Sequence, residues 1–219
     1  LRRDGVMLYL HGGGYTCGGM NYAVGCGSLL AQECGVNVFC PAYRLAPEHP
    51  FPAALEDALE SYRYLLSKGY LPEQICLAGE SAGGGLCYSL CQRIAMEGLE
   101  MPVGIIAVSP WADLTCSGPS YEENKDIDPS MSRKLLLYYS KSYTDAPEDP
   151  LASPLFADLS GMPPSLIYAG GDEIMRSDAQ TLHEKLTGQG CESQLVIAKD
   201  RWHGYLLYGM EEDKADFAL

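Results

Sequence analysis

The stretch Ile75-Cys76-Leu77-Ala78-Gly79-Glu80-Ser81-Ala82-Gly83-Gly84-Gly85 decides the fold. Its first four residues form a short apolar run, and a helical pattern over about 82–97 follows. Between them stands G-x-S-x-G. Glycines two positions before and after a serine let the chain turn sharply from strand to helix, which lifts the hydroxyl out of the sheet. The N-terminus of the following helix favours negative charge beside it. The pattern therefore predicts a nucleophile at Ser81. The plainer alternative is a glycine-rich turn that only packs a helix on a sheet.

Working outward, apolar runs at Val6–Leu10, 36–40, 75–78, 105–108, 166–169 and 195–198 read as strands. Their apolarity is continuous rather than alternating, which suits parallel strands covered on both faces. Helical patterns lie between them. Ala53–Ser67 carries Leu55, Ala58, Leu59, Tyr62 and Leu65 on one stripe, and others run over about 82–97 and 178–188. Gly69 and Gly98 punctuate helix ends. Repeated strand–helix alternation predicts an α/β domain with a mostly parallel sheet, one domain over 1–219. The stretch 114–162 breaks the rhythm. It holds Pro119, Pro129, Pro147, Pro150 and Pro154, no strand signal, and one helical pattern near 132–143. Roughly fifty residues is too long for a plain loop, so it is expected to be an insertion over the sheet's edge.

The chain has 219 residues and a net charge of −14. That acidity opposes binding to nucleic acid and to anionic membranes, and favours a soluble protein with a neutral or modestly polar small-molecule partner. No apolar run approaches the ~18–20 residues that span a bilayer. The nine cysteines are odd in number and include no C-x-x-C. They read as small apolar side chains in a reducing compartment, hence a cytoplasmic protein without a disulfide framework or zinc site. The chain begins at Leu1 without methionine, enters a strand almost at once, and stops at Leu219 inside a helical pattern. It reads as a fragment, a trimmed form or a processed form.

His11-Gly12-Gly13-Gly14-Tyr15 directly follows the first strand. Acyl transfer develops negative charge on a carbonyl oxygen, and backbone N–H groups aimed at it each contribute about 2.7–4 kcal/mol. Glycines leave the approach open. His11 is better read as a prop for this loop than as a catalytic group. The glycines do not fit phosphate loops: G-x-G-x-x-G fails at Cys17 when counted from Gly12 and at Tyr88 when counted from Gly83, and no G-x-x-x-x-G-K-[ST] occurs.

A serine nucleophile needs a base, and the base needs an orienting acid. His11 is in the glycine loop, His49 lies between prolines in Pro47-Glu48-His49-Pro50, and His183 falls mid-helix. His203, in Trp202-His203-Gly204, follows the last strand and so stands at the carboxyl end of the sheet, where ligands bind in open α/β folds. The acid should follow a strand between Ser81 and His203. Asp172, in Gly170-Gly171-Asp172, is nearest the strand end; Asp178 competes and Glu173 is adjacent.

Together these residues resemble the hormone-sensitive-lipase-like (bacterial type IV) esterases and lipases of the α/β-hydrolase superfamily. The carrying pieces are His11-Gly12-Gly13-Gly14, Gly79-Glu80-Ser81-Ala82-Gly83-Gly84, the run from Tyr43 through Ala54 with Asp57, and Asp172 with His203-Gly204. The chain order Ser…Asp…His is that of α/β-hydrolases. The resemblance implies an α/β-hydrolase fold with a triad of Ser81, Asp172 and His203, and oxyanion donors at Gly13, Gly14 and Ala82. It implies short-chain acyl ester hydrolysis through an acyl-enzyme, without cofactor or metal. Deacetylation of sugars and amide or formamide hydrolysis by the same triad are alternatives. A non-catalytic ligand-binding role, as in the plant gibberellin receptors that lack the catalytic histidine, is disfavoured by His203. Arg44, Glu48 and Asp57 are implied to be structural. Members often pair through the last strand and its neighbouring helix, which implies a homodimer. Two departures stand out. The family's Asp-Pro-Leu-x-Asp is here Asp172-Glu173-Ile174-Met175-Arg176-Ser177-Asp178. The two strands and the N-terminal cap helices that precede the family's glycine loop are missing, so 114–162 would be only part of a helical cap.

Overall fold

The computed structural model describes residues 4–218. Its elements are β1 (Val6–Leu10), α1 (Met20–Cys34), β2 (Asn37–Phe39), α2 (Ala53–Ser67), β3 (Ile75–Glu80), α3 (Ala82–Met96), β4 (Gly104–Val108), α4 (Ser120–Glu123), α5 (Arg133–Tyr143), β5 (Ser165–Gly170), α6 (Arg176–Gly188) and β6 (Ser193–Ala198). The strands form one sheet in the order β2-β1-β3-β4-β5-β6. Every neighbouring pair is parallel.

β1 and β3 are buried along their whole length, so both faces must be apolar. Val6, Leu8 and Leu10 point into one core with Leu55 and Leu59 of α2, Leu86 and Leu90 of α3, and Leu182 and Leu186 of α6. Met7 and Tyr9 point the other way, onto Leu30 of α1. Further along that second face, Tyr205 and Leu206 from a 3-10 turn at Tyr205–Tyr208 cover Val108 and Tyr168. The chain runs outward from β1 to β2 and then crosses back to β3. The strand order therefore reverses between β1 and β3, which is where a crevice opens at the carboxyl ends of a parallel sheet. Leu10 pairs with Gly79. The loops that leave these two strands therefore start side by side.

The α/β architecture matches the alternation read from the sequence, with three differences. Helix α1 was not foreseen, because Gly25, Gly27 and the exposed Met20, Tyr22 and Val24 blur its apolar stripe. The second strand is shorter than 36–40; it is an edge strand bonded only to β1, and Asn37 is exposed. The chain after His203 forms 3-10 turns at Tyr205–Tyr208 and Glu211–Ala218 in place of an α-helix, and Leu1 and Leu219 lie outside the described residues.

The segment 114–162 contains α4, α5 and a 3-10 turn at Pro154–Phe156. It sits on the carboxyl ends of the strands and on α3 and α6 rather than along an outer strand. Tyr143 stacks on Tyr15 at 3.8 Å and its carbonyl accepts the Phe51 N–H at 2.7 Å. Gln92 of α3 donates to the Pro150 carbonyl, and Lys185 of α6 to the Leu155 carbonyl.

Candidate active site

Ser81 sits between β3 and α3 with φ 56° and ψ −125°. A non-glycine residue at positive φ is strained and persists only where its surroundings hold it. Here they do. The Ser81 N–H donates to Val108 at the end of β4, and the Ser81 carbonyl accepts the N–H groups of Trp111 and Gly85. The turn also presses against β1. A Cβ on Gly83 would lie 2.0 Å from the Leu10 carbonyl oxygen. Only glycine permits that approach, so the two glycines flanking Ser81 serve packing as well as the turn.

The loop after β1 takes backbone shapes that favour glycine, with φ +106° at Gly13 and +60° at Gly14. The Gly13 carbonyl accepts the Thr16 and Cys17 N–H groups, closing the loop on itself. His11 is wholly buried. Its Nδ1 lies 2.7 Å from the Gly12 carbonyl, and its ring stacks on Tyr43 at 4.2 Å. The Tyr43 hydroxyl in turn donates to the His11 carbonyl. Burial lowers the His11 pKa, the Gly12 carbonyl opposing it. The histidine braces the loop.

Glu80, the residue before the nucleophile, is 3% exposed. Its carboxylate accepts the Tyr9 hydroxyl at 2.5 Å, the Gly12 N–H at 2.5 Å and the Tyr22 hydroxyl at 2.8 Å. Burial pushes its pKa up, and these donors pull it back. One carboxylate thus ties β1, the glycine loop and α1 to the nucleophile turn. Nothing in Gly79-Glu80-Ser81 as a sequence says where the middle side chain points, so this role is visible only in the fold.

His203 is 7% exposed, on the loop between β6 and the turn at Tyr205–Tyr208. Ser109, just after β4, holds that loop by accepting the Gly204 N–H at 2.9 Å. Ser81 and His203 line one cavity of about 430 Å³, with Gly13, Cys17, Tyr22, Met131, Leu207 and others. A larger hollow of about 800 Å³ lies at the opposite end of the sheet, around Cys76, Gly104 and Ser165, and no histidine lines it.

The carboxylate beside His203 is not the expected Asp172. Glu173, not Asp172, faces the histidine: its Oε2 lies 3.3 Å from His203 Nδ1, and Glu173 is wholly buried. Asp172 is half-buried, and its backbone N–H is spent on the Arg201 carbonyl. The turn after β5 runs one residue further than distance from the strand end suggested. The competing Asp178 lies elsewhere, accepting the Ala112 and Asp113 N–H groups and the Tyr121 hydroxyl. The available signal was a carboxylate directly before the apolar Ile174-Met175, a context that buries it.

Of the predicted donors, Gly13 lines the cavity beside Ser81. Gly14 is packed under Tyr139, and Ala82 opens α3 directly after the nucleophile. Arg44 is not in this cavity; it grips Asp57 and Glu56 of α2. Glu48 is exposed. Among the described residues, no group of three or more His, Cys, Asp or Glu side chains could hold a metal ion, and no helix is long and apolar enough to cross a membrane.

A strained serine and a histidine that line one cavity with a glycine loop, on one parallel sheet, have a match among known proteins. The alpha/beta hydrolase fold family aligns with residues 7–207. This chain belongs to that family. A solved esterase of the bacterial hormone-sensitive lipase family superposes with a TM-score of 0.96 at 38% identity, over 99% of this chain and 74% of the other. That likeness places the chain in the hormone-sensitive-lipase-like branch of the alpha/beta hydrolases. An acetyl-hydrolase of Streptomyces hygroscopicus is 41% identical over 188 residues, which are 84% of this chain and 62% of the relative. An esterase of Acinetobacter venetianus is 32% identical over 217 residues, 98% of this chain and 72% of the relative. The chain thus spans about three fifths to three quarters of the length of these alpha/beta hydrolases.

Proposed function

We propose that this chain is a serine carboxylic-ester hydrolase with a triad of Ser81, His203 and Glu173. The observation that carries this reading is the strained Ser81 turn sharing one cavity with His203, whose far nitrogen meets a buried carboxylate. With Nδ1 turned to Glu173, Nε2 is left for the serine. His203 takes the proton as Ser81 attacks the ester carbonyl, and Glu173 holds the tautomer and offsets the imidazolium charge. The N–H groups of Gly13, Gly14 and Ala82 receive the oxyanion. The alcohol leaves with the proton from His203, and water then releases the acid by the same route.

A short acyl group, acetyl first among them, is the proposed substrate side. The modest cavity volume and the name of the Streptomyces relative support this. We further propose that residues 114–162 act as a cap over the cavity, within one domain, because Met131 reaches the cavity and Tyr139 packs on Gly14. Nine free thiols support a cytoplasmic location. The edge strand β6, with Ile197 exposed, supports pairing of two copies, to be read by sedimentation.

Hydrolysis of p-nitrophenyl acetate by the wild type and by Ser81→Ala tests the assignment. The variant is expected to lose about 10⁶-fold in kcat, as with other serine triads. Retained turnover, or fluorophosphonate labelling of the variant, would sink it. Parallel assays on acetylated sugars and arylformamides separate ester from other acyl substrates.

A further inference from the structure

The Glu173 side chain is fully buried, yet among the described residues neither of its oxygens accepts a well-formed hydrogen bond; His203 Nδ1 stands 3.3 Å from Oε2. Carboxylates that orient a histidine usually have donors of their own. Here the aim of the side chain rests on the backbone that carries it. That backbone is strapped from the 114–162 segment. Asn124, 3% exposed, donates through Nδ2 to the Gly171 carbonyl at 3.1 Å and to the Glu173 carbonyl at 2.8 Å. Asp128 accepts the Ile174 N–H at 2.8 Å, and Ser120 donates to the Ile174 carbonyl at 2.6 Å.

We propose that Asn124 is the positioning residue of the triad acid, acting through the Glu173 carbonyl and that of Gly171, two residues before it. The inference rests on the reading of Glu173 as that acid. The chemistry selects asparagine. One short neutral side chain must supply two N–H donors from a single nitrogen, and both are used here. Aspartate has no donor to offer, and serine or threonine has one. Asn124 itself is fixed, since its N–H bonds the Ser120 carbonyl and its own carbonyl accepts the Ile127 and Asp128 N–H groups. Removing its side chain leaves the Glu173 carbonyl with only the long 3.4 Å bond from the Arg176 N–H, and the Gly171 carbonyl with Arg176 Nη1, which loosens the turn at Glu173 while β5 and α6 stay in place. A shift of about 1 Å in a catalytic group costs on the order of 10²-fold in rate.

A double-mutant cycle on p-nitrophenyl acetate tests this, with wild type, Asn124→Ala, Glu173→Gln and the double variant. Asn124→Ala is expected to lower kcat by about 10- to 100-fold and to move KM by less than about 3-fold. In the Glu173→Gln background the same change should lower residual turnover by less than about 2-fold, because groups acting as one unit do not add. Equal losses in both backgrounds, or wild-type turnover in Asn124→Ala, overturn the proposal. Wild-type turnover in Glu173→Gln alone overturns instead the triad reading beneath it. If Asn124→Ala does not fold, judged by circular dichroism, Asn124→Ser carries the same cycle with one donor kept, and Asp128→Asn probes the Ile174 strap.

Discussion

The Gly12 N–H donates to Glu80 Oε1 at 2.5 Å, so the glycine loop hangs from the residue that precedes the nucleophile. Tyr9 and Tyr22 share the same carboxylate. Glu80→Ala strands these donors. A buried donor left without its acceptor costs about 1–3 kcal/mol, so the variant should be less stable by on the order of 3 kcal/mol, the half-exposed Tyr22 contributing least. Activity should fall by about 10²-fold or more as the loop loses its anchor. Glu80→Gln keeps an acceptor oxygen and should lose less on both counts. Urea unfolding with initial rates checks this; an alanine variant matching wild type in both contradicts the anchoring role.

The choice between two neighbouring carboxylates is open to direct measurement. Glu173→Gln should lower kcat by about 10⁴-fold, as loss of the orienting acid does in other triads. Asp172→Asn, at a half-buried position, should stay within a few-fold of wild type. The reverse ranking would return the acid to Asp172.

Gly83→Ala inserts a methyl where the Leu10 carbonyl oxygen stands 2.0 Å away. Two backbones must part to admit it. Overpacking of this kind costs about 1–3 kcal/mol, and here it also moves Ser81. Lower thermal stability together with reduced fluorophosphonate labelling is expected. Labelling at the wild-type rate would show that the turn tolerates a wider gap.

Asp178 offers a test in pH. Burial, and then the neighbouring Asp113, hold its carboxyl well above the usual range. A carboxyl with a raised native pKa binds its proton more tightly folded than unfolded. It therefore favours folding below the unfolded value of about 3.9, and that advantage is lost as pH rises toward the native value. Asp178→Asn cannot ionise and keeps an oxygen to accept the Ala112 and Asp113 N–H groups. Its stability relative to wild type should rise as pH climbs above the unfolded value of about 3.9. A difference in urea midpoint that stays constant from acid to neutral pH would remove the raised carboxyl as an explanation.

Most of the scaffold could be read before the structure, because buried parallel strands are largely continuously apolar, as Val6–Leu10 and Ile75–Ala78 are. Ser81 and His203 were readable for a related reason: both follow strands, and strand ends on one parallel sheet converge. What could not be read depends on side-chain direction and on irregular turns. Helix α1 hides behind its glycines. Glu173 rather than Asp172 meets His203, because the turn after β5 advances by one residue before a carboxylate comes beside the ring. Glu80 and Asn124 act through contacts 68 and 49 residues away in the chain, which no local pattern encodes.

The pairing of Leu10 with Gly79 has a consequence for misfolding. Side chains on a strand alternate faces, so a slip of β1 by one residue would send Met7 and Tyr9 to the α2–α3 side and Leu8 and Leu10 to the α1 side. The same slip would carry Gly12 off Glu80 and draw Leu10 away from Gly83. An error in strand pairing and an error in the reaction centre are therefore one event in this molecule. A misregistered chain is expected to be inert as well as loosely packed, so turnover per molecule serves as a count of correctly paired chains.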